Sequence, residues 1–475
     1  MKLHVVAFPF SETTAHFEME AFTAGIRKFS TMMTSIGYDV RLYAGEENEA
    51  QCTEHIPIVS REEQKKWYGH IDFLRDSFNE WDSRTEPWQT MNARAAEQIR
   101  KRAEPGDALC LFMGGTQFPV ANALEGLGLF AIEASIGYPG TWAPFRVFTS
   151  YTARHFHSDR PPKDIFRRFD AVIPNSFEID AFPDGKGDGD YFLYLGRVVS
   201  TKGPQIAAET CKRLGARLII AGQCVMNVDP LTTMDGVVLD GDVEYVGTVD
   251  PIRRAQLLGG AKAVFAPTII VEHFGNAVVE GMMCGTPAIT TDWGAFTETV
   301  IDGVTGFRCN TLSEFVDAAK RVGELDRKAI RKYAQGRFST DVVRYQYDRY
   351  FQRLAKDFPL FEIEKKQQEE DATKSLADAA RRHQSPDETL NVSLRHFEAG
   401  RFEECITAAK MAIEFRPDFG AAWVNICCAN NAMGYFEAGR SAGEEAVRIL
   451  PDSQLAKNNL NWSLDGLRQQ QQMAV

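Results

Sequence analysis

Short apolar runs alternating with helix-patterned stretches recur twice along the chain, and no other feature narrows its fold as far. Strands that alternate with helices in this way build a parallel sheet covered by helices. In the first series, residues 3–10, 38–43, 108–113, 129–132 and 145–148 are predicted strands, and 17–36 carries helix-like apolar spacing. Residues 62–102 depart from the pattern. They are rich in charged and aromatic side chains and are predicted helical, as an insertion. The second series opens after the turn-rich Pro183-Asp184-Gly185-Lys186-Gly187-Asp188-Gly189-Asp190, with strands expected at 191–195, 217–221, 243–246, 263–266 and 287–290. Two such domains on a short polar linker leave a cleft, and open parallel sheets bind ligands at the carboxyl ends of their strands.

The 475 residues have room for roughly two to four domains. With 44% apolar and 25% charged residues, the chain has the composition of an ordinary globular protein. Its 53 Lys and Arg against 65 Asp and Glu leave a formal charge of −12, which argues against wrapping nucleic acid or an anionic membrane. No apolar run approaches the ~18 residues that cross a bilayer. The amino terminus, Met1-Lys2-Leu3-His4-Val5-Val6-Ala7-Phe8, lacks the apolar stretch and cleavage site of a signal peptide. Nine cysteines lie scattered from Cys52 to Cys428 with no C-x-x-C pair, as expected of reduced thiols in a cytoplasmic protein.

Towards the carboxyl terminus, residues 361–388 shift to Lys, Glu, Gln and Asp, the composition of a charged linker or solvated helix. Beyond them Gly400, Phe402, Glu403, Ala408, Ala412, Ile413, Pro417 and Asp418 recur 34 residues later as Gly434, Phe436, Glu437, Ala442, Ala446, Val447, Pro451 and Asp452. That period matches the helix–turn–helix unit of tetratricopeptide (TPR) repeats: Gly makes the turn, small Ala residues let helices approach, and Pro ends the second helix. Two units cannot bury a core alone, so 454–467 is expected to cap the array. Trp423, Phe402 and Phe436 are then core residues of the repeats.

Chemistry concentrates in two segments. Val271-Glu272-His273-Phe274-Gly275-Asn276-Ala277-Val278-Val279-Glu280 follows an apolar strand and runs into a helical stretch, ending in Gly285-Thr286-Pro287. Gly275 and Asn276 open that helix, where free N–H groups and the dipole favour an anion. Two carboxylates, Glu272 and Glu280, beside an anion site suit a ligand that also offers hydroxyls, as a sugar joined through phosphates does. The second segment, Tyr194-Leu195-Gly196-Arg197-Val198-Val199-Ser200-Thr201-Lys202-Gly203, is a strand entering a polar loop with two cations. Arg197 and Lys202 can converge on a diphosphate, one as a planar fork and the other as a point charge.

Together these segments resemble the retaining glycosyltransferases of the GT-B fold, in the large group called family 4. The resemblance rests on G-R-x4-K-G, on E-x7-E enclosing E-x-F-G, on G-T-P, and on Glu298-Thr299-Val300-Ile301-Asp302-Gly303-Val304-Thr305-Gly306. It is close over residues 170–310 and weakens towards the amino terminus. The fold class it implies is α/β: two Rossmann-like domains facing a cleft, followed by a C-terminal all-α TPR-like helical domain. The corresponding boundaries are 1–180 (acceptor domain), 181–337 (nucleotide-sugar domain), 338–360 (a helix crossing back), 361–388 (charged linker or helix) and 389–470 (repeats).

In family terms, Arg197 and Lys202 stabilise the leaving nucleoside diphosphate, and Glu272 lies by the donor sugar. Gly196, Phe274, Gly275 and Asn276 contact the donor, and Glu280 accepts from the ribose hydroxyls. The sequence leaves open whether Glu272 acts as a nucleophile. The implied donor is a UDP- or GDP-sugar and the acceptor a hydroxyl of a glycan, polysaccharide or protein. No cofactor or metal is expected, since Asp188-Gly189-Asp190 and Asp240-Gly241-Asp242 read as ordinary turns. Alternatives are a protein O-glycosyltransferase whose repeats recruit the acceptor, and a degenerate scaffold. The repeats can also serve a protein partner or a homodimer.

The first half departs from the family. Where many relatives have a glycine-rich loop, the chain reads Phe10-Ser11-Glu12-Thr13-Thr14-Ala15-His16. His155 and His157 fall too late in the chain to match the family's mid-domain histidine.

Overall fold

The computed structural model describes residues 1–18, 20–70, 81–158, 165–223 and 225–473. It divides into two units, Met1–Lys356 and Asp357–Val475. In the first unit, β1 (Lys2–Val6), β2 (Asp39–Ala44), β3 (Glu54–Pro57), β4 (Ala108–Leu111), β5 (Phe130–Ile136), β6 (Phe145–Phe148) and β7 (Ala171–Val172) form a sheet of order β3-β2-β1-β4-β5-β6-β7. All of its pairings are parallel. A second parallel sheet of order β12-β9-β8-β13-β14-β15 contains β8 (Phe192–Leu195), β9 (Leu218–Ala221), β12 (Val243–Tyr245), β13 (Val264–Ala266), β14 (Ala288–Thr291) and β15 (Gly306–Cys309). Between β9 and β12 stands an antiparallel hairpin of β10 (Val225–Val228) and β11 (Leu231–Thr233).

The central strands are apolar throughout because both faces are covered: Ala108-Leu109-Cys110-Leu111 and Leu218-Ile219-Ile220-Ala221 are buried at every position. Alternate side chains of the second sheet enter opposite cores. Leu193, Ile219 and Val264 pack with Val278, Val279 and Met282, whereas Tyr194, Ile220 and Phe265 pack with Ala207, Ala208 and Phe315. Strand order reverses beside the first strand of each sheet, between β1 and β4 and between β8 and β13. Such a reversal opens a crevice at the carboxyl ends.

Several strands escape the sequence pattern. β3, Glu-His-Ile-Pro, lies at a sheet edge, and so does β15, Gly-Phe-Arg-Cys; a strand with one open side needs no continuous apolar run. Within the stretch 62–102, helices Arg61–Tyr68 and Glu86–Arg100 form, and 71–80 lie outside the described residues.

The helix expected over 338–360 is longer: Thr340–His383 is one helix of 44 residues, so most of the charged stretch 361–388 is helical. Lys, Glu, Gln and Ala favour that state. Near its start, Tyr347 and Phe351 pack edge-on against Phe29 of helix Ala21–Thr34, and the Tyr38 hydroxyl donates to Asp348 at 2.9 Å. The chain thereby returns from the second sheet to the first.

In the second unit, helices Pro386–Glu398, Gly420–Ala432 and Gln454–Met473 begin 34 residues apart, as do Phe402–Phe415 and Phe436–Ile449. Ala409, Ala412, Ala422, Ile426, Cys427 and Ala442 form one core, with Trp423 packed against it. Gly400 and Gly434 turn equivalent corners at φ 72° and 77°. Among the described residues, no helix is long and apolar enough to cross a membrane.

Candidate functional site

Both chemistry-bearing segments fall at the reversal point of the second sheet, because one follows β8 and the other β13. The loop after β8 is held from several sides. The Tyr194 hydroxyl donates to the Arg197 carbonyl at 2.7 Å, and the Val198 amide donates to Gln223 at 2.7 Å. The hairpin supplies the rest. The Met234 amide donates to Val198, and the Asp235 carboxylate accepts from the Ser200 amide at 2.9 Å and from the Ser200 hydroxyl. These bonds hold the Asp235 carboxyl down at about 2.

The short turn Ser200–Lys202 then ends at Gly203, with φ 78°. A Cβ there would lie 2.0 Å from the Pro267 carbonyl oxygen, so only glycine lets the loop approach the one after β13. Thr201 cements the approach, its carbonyl accepting from the Ile269 amide at 3.0 Å and the Thr268 hydroxyl at 3.1 Å.

This approach brings Lys202 Nζ to 2.5 Å from Glu272 Oε2, with the two side chains 23% and 20% exposed. Arg197, on the same loop as Gly196, is exposed and has no side-chain partner among the described residues. Gly275 caps helix Asn276–Met283 at φ 85°. The Phe274 ring is committed to the core, stacked on Phe177 and edge-on to Phe338, which leaves its main chain for ligand contact. Asn276 is exposed and accepts from Asn175 at 2.9 Å.

Glu280 is 7% exposed, with Arg254 Nε 3.6 Å from its Oε2. Burial raises its carboxyl above the ordinary range, against the pull of Arg254 and Lys28. Among the described residues, no hydrogen bond or ion pair joins Glu280 to the Lys202–Glu272 pair.

The first half contributes contacts to His273 and Glu298 that no motif marks. The Ser150 hydroxyl donates to the His273 carbonyl at 2.6 Å, and His157 Nε2 lies 2.8 Å from His273 Nε2. Glu298, noted only as part of a motif, accepts from the amides of Tyr151 at 2.8 Å and Thr152 at 2.7 Å. A Ser ahead of a helix start was a legible cap signal, and Ser150 does accept from the Ala153 amide. The contacts to His273 left no local trace.

Where relatives have a glycine-rich loop, the polar groups serve the protein itself. Ser11 bonds Thr23 at 2.7 Å, and buried Glu12 accepts from the Glu47 amide at 2.8 Å. Each Asp-Gly-Asp turn is met by a lysine, with Lys262 on Asp190 and Lys212 on Asp240, both at 2.5 Å.

Residues 176–337, which hold the second sheet and both loops, match the family described as Glycosyl transferases group 1. Over 191 residues the chain is 29% identical to a phosphatidyl-myo-inositol mannosyltransferase of Mycolicibacterium smegmatis, a match covering 38% of this chain and 49% of the relative. Over 85 residues it is 33% identical to sucrose synthase 5 of Oryza sativa subsp. japonica, covering 17% and 10% respectively. The chain thus spans about half the length of the first relative and a tenth of the second.

Among solved structures, AviGT4, a glycosyltransferase involved in avilamycin A biosynthesis, aligns with a TM-score of 0.55 at 19% identity, over 75% of this chain and 98% of its own. HepE of Anabaena in complex with UDP and glucose aligns at 0.51 and 14% identity, over 74% and 98%. The segment 176–337 therefore forms one half of a GT-B-like α/β fold.

Proposed function

We propose that this domain binds a UDP- or GDP-sugar in the crevice of the second sheet and transfers the sugar, with retention of configuration, to a hydroxyl of a glycan, polysaccharide or protein. The observation that carries this reading is the 2.5 Å approach of Lys202 to Glu272 at the strand reversal, beside exposed Arg197 and the start of helix Asn276–Met283.

As the bond between sugar and diphosphate breaks, negative charge grows on the departing phosphate while the sugar gains oxocarbenium character. On this reading Lys202, Arg197 and the free N–H groups of the helix meet that charge, and losing one such group commonly costs ~10²–10³ in rate. Glu272, anchored by Lys202, faces the sugar hydroxyls, and the main chain of Gly196 and Phe274-Gly275-Asn276 accommodates the donor. Glu280 reads the ribose, its carboxylate aligned by Arg254. Two side-chain cations and a helix end supply the charge that a divalent metal would otherwise bring, so the reaction is proposed to need none. The 34-residue recurrence of helix starts supports a TPR-like second unit, suited to a protein partner, an acceptor or a second copy. Free cysteines fit a reducing, cytoplasmic setting.

The test is release of nucleoside diphosphate from a panel of UDP-, GDP- and dTDP-hexoses, with and without chelator. We expect one donor class to turn over at an initial rate that chelation leaves unchanged, and Lys202→Ala to lower kcat by about 10²-fold. A wild-type chain inert towards every donor would overturn the transferase reading. Activity abolished by chelation and restored by Mn²⁺ or Mg²⁺ would overturn metal independence.

A further inference from the structure

We propose that His157 and Ser150, in the first half of the catalytic unit, are positioning residues that hold the loop bearing Glu272 and Phe274 in place when the two halves meet. The inference rests on the donor-site reading above. It extends that reading to residues on the opposite side of the cleft.

The geometry is a grip on one residue from two directions. His273 lies between Glu272 and Phe274, and its carbonyl accepts from the Ser150 hydroxyl at 2.6 Å and the Thr149 hydroxyl at 3.3 Å. Its ring meets His157 Nε2 to Nε2 at 2.8 Å, with ring centroids 4.3 Å apart. Gly137 packs beneath: a Cβ there would come within 3.4 Å of the His273 Cβ. Ser150 caps helix Tyr151–His157, and His157 is its last residue. The other half also holds the start of that helix, where the Glu298 carboxylate takes the amides of Tyr151 and Thr152 and the Thr152 hydroxyl. One short helix is thus fastened at both ends to the half that carries the donor loop.

The Nε2–Nε2 contact is a single hydrogen bond in which one ring donates and the other accepts, so it fails when both facing nitrogens carry a proton. The other groups facing the pair are Glu272, which favours a charged His273, Lys202, which opposes it, and the Phe156 ring 5.7 Å from His273. Burial, followed by the neighbouring His273, pushes His157 down to about 4, and burial also lowers His273. An imidazole released to water titrates near ~6.5. Between those values the released ring takes up a proton that the gripped ring excludes. The grip therefore weakens as pH falls, by up to about tenfold per pH unit for one proton.

The test uses the full chain and reads amide hydrogen exchange across residues 271–276, with rates corrected for intrinsic pH dependence, beside donor turnover. In His157→Phe we expect exchange there to rise about tenfold or more at pH 7, with the melting temperature kept within about 2 °C. In the same variant, kcat should fall about tenfold while nucleotide affinity holds. His157→Gln, which keeps an N–H donor without a titrating ring, should restore protection. Wild type should lose protection between pH 7 and pH 5. Ser150→Ala tests the carbonyl side independently and should also speed exchange. Wild-type protection in both His157→Phe and Ser150→Ala would overturn the proposal. So would a parallel loss of melting temperature, nucleotide affinity and kcat in His157→Phe, which would mark a merely structural role. Faster exchange beside a wild type that turns over no donor supports the grip and counts against the donor-site reading alone.

Discussion

Lys202 has a protein anion within reach, Glu272 at 2.5 Å, and on the proposed reading a phosphate entering the crevice must share that cation or take it. The two groups compete for one charge while cooperating on one substrate. Replacing Glu272 with Gln removes the competitor, and a partly exposed pair is worth roughly 0–1 kcal/mol. UDP or GDP should then bind up to about fivefold more tightly by calorimetry, while kcat falls because the sugar loses its carboxylate. Weaker binding in that variant would mean that Lys202 is not a phosphate ligand. Not every residue at this site was equally visible from the sequence. Arg197, Lys202 and Glu272 announce themselves because each is a charge in a loop that follows a strand, where a charge has few structural reasons to be, and Glu280 because the E-x7-E spacing ties it to Glu272. His157 and His273 lie 116 positions apart, and a contact between a buried and a partly buried imidazole at that separation leaves no spacing to read.

Among the elements, the hairpin of β10 and β11 is, like β3 and β15, a piece no apolar pattern revealed. Asp229-Pro230 interrupts its run of residues, and a proline inside a run argues against a strand. The hairpin nevertheless shapes the site, because Asp235, just beyond it, caps the turn Ser200–Lys202 and so sets the direction in which Lys202 leaves the loop. Asp235→Asn keeps one acceptor and loses the charge. We expect severalfold lower kcat with an unchanged melting temperature, and Asp235→Ala should be worse than Asp235→Asn in steady-state assays. Equal rates in all three proteins would show that the loop holds its shape without the cap. By contrast, helix Asn276–Met283 was legible to the residue, because Gly275 marks its start and apolar Val278, Val279 and Met282 mark its buried face.

At the scale of the whole chain, the return of helix Thr340–His383 from the second sheet to the first decides how the two-sheet unit holds together. Phe351 is buried between Phe29 and Tyr38, and Tyr347 packs beside it. Phe351→Ala removes a buried ring from that junction and should cost about 3–5 kcal/mol in urea unfolding of the full chain. A loss confined to the second unit, or none, would show that the junction carries no stability. The two-sheet plan was readable because central strands must be apolar on both faces. The length of this helix was not, since a run of Lys, Glu and Gln is equally at home in a solvated linker.

One backbone contact bears on how a substrate gets in. Gly203 is pressed against Pro267, and the Thr201 carbonyl is bonded by Ile269 and Thr268, so the cationic loop and the acidic loop are joined into one jaw. On the proposed reading a donor meets those two charges at one fixed spacing, and any opening of the crevice is taken up by the facing half, through its hold on His273.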